Sequence, residues 1–223
     1  MAADIDKANQ DIDLTKRSEE IGERGYKLLL PFVAGGPTVP PKPGGMGDDG
    51  QIKKEVMARN IFERMAKNPN QQRPLMIWNA KLEAAACRRI SNMADNHWQG
   101  HVDPAGHGPD WYVRAEDYVL PPWYWDPKKG DAANHVESLS YGGDRNNSDE
   151  EQEEVFWKGL IEHEAHRVHL LGEYETFRDQ VETGICVLYD NTSDRVWYLS
   201  IITAPPEGAT AAAVEAANSG PSL

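Results

Sequence analysis

Apolar side chains recur at helical spacing in the first part of the chain's middle region. Within residues 52–67 three of them lie one helical turn apart, and the segment NPNQQRP then ends the helix. Asn79 can cap a second helix that runs to about residue 97. The two apolar stripes consist of Met57, Ile61 and Met65 in the first helix, and of Leu82, Ala86, Ile90, Met93 and His97 in the second. The pattern predicts two amphipathic helices that each bury one face.

A third helix is predicted over the segment VFWKGLIEHEAHRVHLLG. Ser148 and Glu151 form a Ser-x-x-Glu capping box ahead of this segment, and Gly172 ends it. Acidic side chains crowd its first turns and histidines its last turns, which complements the helix dipole by up to about 1 kcal/mol for each charge. The histidines therefore have a purely structural interpretation, as a helix end that prefers cations.

The last part of the middle region predicts strands. The segments GICVLYD and RVWYLSIIT flank NTSD, which is typical of an antiparallel hairpin buried on at least one face. Between the second and third helices, residues 98–147 are rich in Gly, Pro, Asp and aromatic residues. This composition predicts long loops with short strands.

The two ends of the chain differ in composition from its middle. Residues 1–50 are polar and then Pro/Gly-rich and predict an extended arm, and residues 205–223 predict a linker-like tail rich in Ala, Gly and Pro. The globular domain is therefore expected over residues 51–204. Protein partners in a larger assembly are expected to order both arms.

The charge balance restricts the partners of this protein. Its 23 Lys and Arg residues stand against 36 Asp and Glu residues, a formal net charge of −13. This balance argues against nucleic acid or an anionic membrane surface as a partner and suits a protein that holds a cation. The N-terminal segment shows no secretory signal, and no stretch approaches the roughly 18 apolar residues of a membrane span. The compartment stays open, with a virion or an extracellular location as candidates.

The two cysteines, Cys87 and Cys186, are too few for a disulfide framework. They could form one bridge, or they could be two buried thiols. The sequence alone does not decide between these two states.

Three of the seven histidines lie at a spacing of three within residues 161–172. They are His163, His166 and His169. The zinc-protease motif H-E-x-x-H needs one residue more than H-E-A-H offers, so that geometry fails. A helix would place the three rings on successive turns, where two could reach one ion. Candidate partners are His101 and Glu137; the latter is either exposed on an edge strand or, if buried, paired or coordinated.

The order of several motifs resembles the CAP superfamily, which comprises cysteine-rich secretory proteins, antigen 5 and pathogenesis-related 1 proteins, and is nearest to its bacterial branch. The motifs are PLMIWNAKLEAAACRRISNMADNHWQGHVDPAG, RAEDY, HVESLSYGG, Trp157 with HRVHLLG, ETGICVLYD and RVWYLS. The resemblance covers about residues 54–203. It implies an α+β fold of the CAP type, an α/β/α sandwich with a small antiparallel sheet between helices and with long loops.

The resemblance also implies a metal site. In the family, two histidines and one or two acids bind zinc or another divalent cation, and these ligands fall on His101, Glu137 and His166. Three ligands from separate segments leave an open coordination position, as in exchangeable or catalytic sites. Eukaryotic members carry a second glutamate where this chain has Leu160. Glu162 or Glu164 would have to take the place of that second glutamate. His163 and His169 are further candidates for contacts around the metal ligands.

Three functions are consistent with these residues. The first is a binding domain whose divalent cation, expected to be zinc, serves ligand or partner binding without catalysis. The second is a structural or interaction subunit of a larger assembly, such as a virion or a surface structure. The third is a metal-dependent hydrolase, although the chain shows neither a nucleophile elbow nor H-E-x-x-H.

Overall fold

The structure is a computed structural model that describes residues 50–192 and 197–209. Every helix and strand of these ranges lies between residues 51 and 204, within the predicted globular domain. The predicted arms, apart from residue 50 and residues 205–209, lie outside the described residues. In the described part of the chain, no helix is long and apolar enough to cross a membrane.

A five-stranded sheet forms the centre of the molecule. Its longest strands, β4 (Glu182–Asp190) and β5 (Trp197–Ala204), pair antiparallel and confirm the predicted hairpin. On the far side of β5, β3 (Glu137–Tyr141) adds another antiparallel strand. The short strands β1 (Gln51–Lys53) and β2 (Ile77–Trp78) both pair with β4, the first antiparallel and the second parallel.

Helices surround the sheet. The six α-helices of the described residues are α1 (Glu55–Ala66), α2 (Ala80–Asp95), α3 (Pro109–Ala115), α4 (Asp149–Glu162), α5 (Glu164–Leu170) and α6 (Glu175–Arg178). Two 3₁₀ turns, Pro122–Tyr124 and Gly130–Ala132, lie in the loop-rich centre. The first two helices confirm the predicted amphipathic pattern, and the side chain of Asn79 caps α2 as expected.

The sheet separates two hydrophobic cores. Along β4, Cys186 and Leu188 pack with α2 and α3, whereas Ile185 and Val187 face the side of α1 and α4. This alternation follows from the two-residue period of a strand. Both faces of the sheet are therefore covered by helices, which confirms the predicted α+β architecture with a small antiparallel sheet between helical layers.

The structure corrects two details of the predicted helices. The third helix is not continuous: its capping box at Ser148 is present, but α4 ends at His163, whose extended backbone (φ −89°, ψ 114°) separates it from α5. His97 is exposed and does not continue the buried stripe of α2. It lies beyond the helix in a left-handed conformation (φ 53°), as residues just after a helix end often do.

The first turn of α2 lies directly against β4. A Cβ atom on Gly184 would lie 2.0 Å from the backbone nitrogen of Glu83, so only glycine permits this approach. One turn further along α2, Cys87 forms a disulfide with Cys186 of β4. The structure thus resolves the state of the two cysteines as one bridge, which ties α2 to the sheet across a sequence separation of 99.

Candidate functional site

Glu137 is the centre of the candidate site. It begins β3, an edge strand, but it is only 4% exposed and therefore is not the solvated edge residue of the alternative interpretation. Both oxygens of its carboxylate lie 2.7 Å from the Nε of Arg89. Ser200 on the neighbouring strand β5 donates its hydroxyl hydrogen to Oε1 at 2.7 Å. The carboxylate is thus buried, paired with a cation and hydrogen-bonded, as a buried charge requires.

Arg89 is the buried cation that balances this carboxylate. It projects from α2, and its NH2 group donates to the carbonyl of Gly100 at 2.8 Å. The rings of Trp98 and Tyr112 lie 5.3 and 5.4 Å from its guanidinium carbon, at cation–π distance. The guanidinium is therefore held through its Nε and NH2, whereas its NH1 is buried without a hydrogen-bond partner among the described residues.

The local charges decide the protonation state of Glu137. Burial alone would raise the pKa of its carboxyl, but the positive charge of Arg89 and hydrogen bonds from His101 and Ser200 outweigh burial and lower this pKa to about 2. Glu137 therefore remains ionised throughout the physiological pH range. An ionised carboxylate can only accept hydrogen bonds.

This property of Glu137 fixes the tautomer of His101. The Nδ1 atom of His101 lies 3.0 Å from Oε2 of Glu137, so Nδ1 carries the hydrogen and donates it to the carboxylate. The side-chain nitrogen of Asn134 lies 2.9 Å from the same Nδ1 and would donate to it if Nδ1 carried no hydrogen. The charged carboxylate is the stronger hydrogen-bond partner of Nδ1 and decides the tautomer. In the neutral ring the lone pair is consequently on Nε2. This is the arrangement by which a carboxylate orients a metal-binding histidine.

His166 of α5 is the third member of the site. It is 7% exposed, and no described residue hydrogen-bonds its ring. Burial, followed by the charges of His163 and His101, lowers its pKa to about 3, and the charge of Glu137 opposes this shift only in part. His166 is therefore a neutral imidazole within electrostatic range of both His101 and Glu137. We refer to these three residues, His101, Glu137 and His166, as the histidine–glutamate cluster.

The four surrounding candidates have three different environments. His163 lies beside the cluster, with its ring centroid 4.9 Å from that of His166, and its Nδ1 is buried without a partner among the described residues. Glu162 and Glu164 are exposed, and Glu162 lies 3.8 Å from Lys158 at the surface. Neither glutamate belongs to the buried cluster, because both side chains are exposed.

His169 has a structural role instead. It is buried, and both ring nitrogens are engaged at 2.7 Å, Nδ1 by the hydroxyl of Ser138 and Nε2 by that of Thr203. Burial lowers its pKa well below the ordinary value of 6.5, so the ring is neutral. Because Ser138 belongs to β3 and Thr203 to β5, these bonds anchor α5 over the sheet and place His166, one turn earlier, near Glu137.

The donor atoms limit what kind of metal site the cluster can form. Among the described residues, no group of three or more His, Cys, Asp or Glu side chains is arranged to hold a metal ion. The oxygens of Glu137 are engaged by Arg89, Ser200 and His101. The donors that fit a divalent cation are thus the Nε2 of His101 and a ring nitrogen of His166, with Glu137 as the residue that orients His101.

Sequence reasoning missed the residues that hold Glu137. Arg89 lies seven residues after Leu82 and therefore on the apolar stripe of α2, where a charged side chain needs a buried partner. That signal predicts that Arg89 is paired but does not name the partner. Ser200 and Asn134 carried no comparable signal, because hydroxyl and amide side chains are common in strands and turns.

Acidification is expected to destabilise the protein when metals are chelated with EDTA. His166 has a folded-state pKa of about 3 against an ordinary value of 6.5. Below pH 6.5 the unfolded chain binds a proton that the folded chain excludes, so the free energy of unfolding falls as the pH falls from about 6.5 towards 3. For His166 alone the loss between pH 7 and 5 is about 2 kcal/mol. Urea unfolding at a series of pH values measures this loss.

His166→Gln is the matched control for this pH dependence. Glutamine cannot take up the proton, so the variant should lose about 2 kcal/mol less than the wild type between pH 7 and 5. The remaining slope should come from His169, which is also buried in its neutral form. Parallel stability profiles of the variant and the wild type would show that His166 does not contribute to the acid sensitivity.

Comparison with known proteins does not assign the chain to a family. No family model matches the chain, and no curated protein matches it either. Among solved structures, the chain is similar to an outer surface protein from Borrelia burgdorferi, with a TM-score of 0.49 and 14% sequence identity. The match covers 70% of this chain and 98% of that one. We draw no argument about family or function from a similarity at this level.

Proposed function

We propose that this domain is a binding module of the CAP type that takes up a divalent cation, zinc by preference, at the histidine–glutamate cluster. The observation that carries the proposal is the hydrogen bond from Nδ1 of His101 to the carboxylate of Glu137. This bond leaves the lone pair of Nε2 available as a metal ligand and fixes the orientation of the ring. His166, held neutral by burial, supplies the second nitrogen.

Each residue of the cluster has a distinct part in this proposal. His101 and His166 contact the cation, while Glu137 orients His101. A divalent cation bound there would offer open coordination positions, first to water and then to a donor atom of a ligand or protein partner. Two protein ligands describe an exchangeable site, because structural zinc sites use four. In this proposal the module binds a ligand or partner through the cation. The module does not need the cation in order to fold.

The hydrolase hypothesis receives less support from the same residues. A general base works best with a pKa near the working pH, and the pKa of Glu137 is about 2. Its hydrogen bonds to Arg89 and Ser200 also leave little freedom to accept a proton from water. We therefore favour binding over hydrolysis as the function of the cluster.

The disulfide supports a proposal about location. Bridges between Cys residues persist in oxidising compartments and are rare in reducing ones. The Cys87–Cys186 bridge ties the helical layer to the sheet and is thus part of the fold itself. We propose that the protein works in an extracellular or surface setting.

Zinc titration of the full chain by isothermal calorimetry tests the proposed function. The wild type is expected to bind one Zn²⁺ per chain, and His101→Ala/His166→Ala is expected to lose this binding by at least about 100-fold, because both nitrogen donors are removed. Each single variant should retain weaker binding, since one imidazole remains.

His97→Asn provides the matched control for this titration. His97 is exposed and its backbone is left-handed, a conformation that asparagine also tolerates, so one histidine is removed without strain. This variant should bind zinc as the wild type does. Equal heats from the wild type and the His101→Ala/His166→Ala variant would remove the proposed site.

A further inference from the structure

Arg89 interacts with the candidate site in a way that the proposed function does not require. Its side chain and that of Glu137 are both fully buried, and the Nε lies 2.7 Å from each carboxylate oxygen. A guanidinium at this distance already occupies the position from which a metal cation would neutralise the carboxylate. The protein therefore carries its own cation for Glu137.

This built-in cation cannot readily move aside. Its NH2 is bound to the carbonyl of Gly100, and the rings of Trp98 and Tyr112 lie on its sides. A solvent-exposed ion pair could exchange its partner for a metal ion, but here the displaced guanidinium would remain buried without a counter-ion. Direct coordination of a metal by Glu137 is consequently disfavoured as long as Arg89 is present.

We infer that Arg89 sets the metal selectivity of the cluster by withholding the Glu137 carboxylate from the cation. This inference rests on the proposed function for its two nitrogen ligands. Imidazole nitrogens suit Zn²⁺, Cu²⁺ and Ni²⁺, whereas carboxylate oxygens suit Mn²⁺, Mg²⁺ and Ca²⁺. With Glu137 engaged, the cluster presents nitrogen alone and selects ions of the first group. Arg89 is thus a specificity-determining residue that acts through Glu137 and makes no contact with the cation.

The charge balance of the Arg89–Glu137 pair also favours Zn²⁺ over hard cations. The positive charge of Arg89 cancels the negative charge of Glu137. The two imidazoles therefore lie beside an ion pair that has no net charge. Hard cations such as Mg²⁺ and Ca²⁺ bind chiefly through charged oxygen ligands. The cancellation of charge therefore lowers the affinity for these cations most. Zn²⁺ retains its bonds to nitrogen, which do not depend on a negative charge at the site.

The ratio of the Zn²⁺ and Mn²⁺ dissociation constants tests this inference. Both ions are titrated into the full chain by calorimetry, with the metal-induced shift of the melting temperature as a second measurement. The Arg89→Met variant keeps an unbranched side chain near Trp98 and Tyr112 but frees the carboxylate. We expect its Mn²⁺ affinity to rise at least about 10-fold above that of the wild type. Changes to residues that contact a metal ligand typically alter metal affinity by at least this factor. The preference for Zn²⁺ should fall accordingly.

Two further variants keep the test decisive. In Arg89→Met/Glu137→Gln the carboxylate is absent, so the preference for Zn²⁺ should return to that of the wild type. Glu137→Gln alone should weaken both ions by a similar factor, because His101 loses the carboxylate that orients it, while no direct ligand is removed. The ratio of the two dissociation constants should therefore stay that of the wild type. This second comparison remains valid if Arg89→Met fails to fold.

The outcomes separate this inference from the proposed function. Absence of Zn²⁺ binding by the wild type removes the proposed function, whereas gain of Mn²⁺ binding by Arg89→Met still supports a carboxylate withheld by Arg89. Zinc binding by the wild type, together with an unchanged metal preference in Arg89→Met, overturns the inference alone. A selective loss of Mn²⁺ binding in Glu137→Gln would overturn it as well, since Glu137 would then be a direct ligand.

Discussion

Glu137→Ala is expected to lower the free energy of unfolding by about 3–5 kcal/mol, the cost of leaving one partner of a buried ion pair uncompensated. The variant removes the carboxylate that holds Arg89, and the guanidinium then remains in the interior with only the carbonyl of Gly100 as a hydrogen-bond partner among the described residues. Ser200 loses its acceptor at the same time. Urea unfolding at pH 7 measures the effect.

Two variants serve as controls for the loss of Glu137. Glu162→Ala removes an exposed glutamate and should change stability by no more than about 0.5 kcal/mol. Arg89→Met/Glu137→Gln removes both charges and should be more stable than Glu137→Ala, because no unpaired ion is left in the interior. A loss below about 1 kcal/mol in Glu137→Ala would mean that the pair is not buried in solution as the structure has it.

Removal of the disulfide is expected to lower the free energy of unfolding by about 2–5 kcal/mol. The bridge between Cys87 and Cys186 closes a loop with a sequence separation of 99 and thereby restricts the unfolded chain. Cys87→Ala/Cys186→Ala is the appropriate variant, since alanine leaves no buried polar group at either position. Urea unfolding of the wild type and the variant, both without reductant, measures the difference.

Reduction supplies the control for the disulfide variant. Dithiothreitol should destabilise the wild type by a similar amount and leave Cys87→Ala/Cys186→Ala unchanged. Cys87 and Cys186 belong to one of the two hydrophobic cores, and the other core contains no cysteine. The reduced protein should still fold, because the remaining apolar residues of both cores keep their contacts. Equal stability of the oxidised wild type and the variant would show that the bridge adds nothing to the fold.

The parts of the fold with a strong local signal were predictable from the sequence. The apolar stripe of α2 buries Leu82, Ile90 and Met93 as its spacing predicts, and the capping box at Ser148 starts α4. The hairpin of β4 and β5 follows from two apolar runs around a polar turn. In each case, residues close together in the sequence determine the structure, so periodicity is sufficient to find it.

The break between α4 and α5 had no such local signal. The segment EHEAH contains no proline or glycine, and its charges are compatible with a continuous helix. The structure instead anchors His169 between Ser138 and Thr203, residues 31 and 34 positions away in the sequence. Tertiary hydrogen bonds of this kind override helix propensity, and a single sequence does not disclose them.

The candidate site was predictable only in part for the same reason. The residues His101, Glu137 and His166 came from a resemblance of motifs, and the structure places them within electrostatic range of one another. The role of Glu137 depends on Arg89, which is 48 residues away and on another element. A buried arginine on an apolar stripe predicts a buried acidic partner, but only the fold identifies that partner.

The central claim is that a divalent cation binds His101 and His166 while Glu137 remains paired with Arg89. A crystal structure of the zinc-soaked protein, with anomalous diffraction measured at the zinc edge, tests it most directly. The account predicts one peak about 2.0–2.1 Å from Nε2 of His101 and from a ring nitrogen of His166, with the ion pair intact. A zinc ion bound to an oxygen of Glu137 with Arg89 displaced, or no peak at either imidazole, would contradict it.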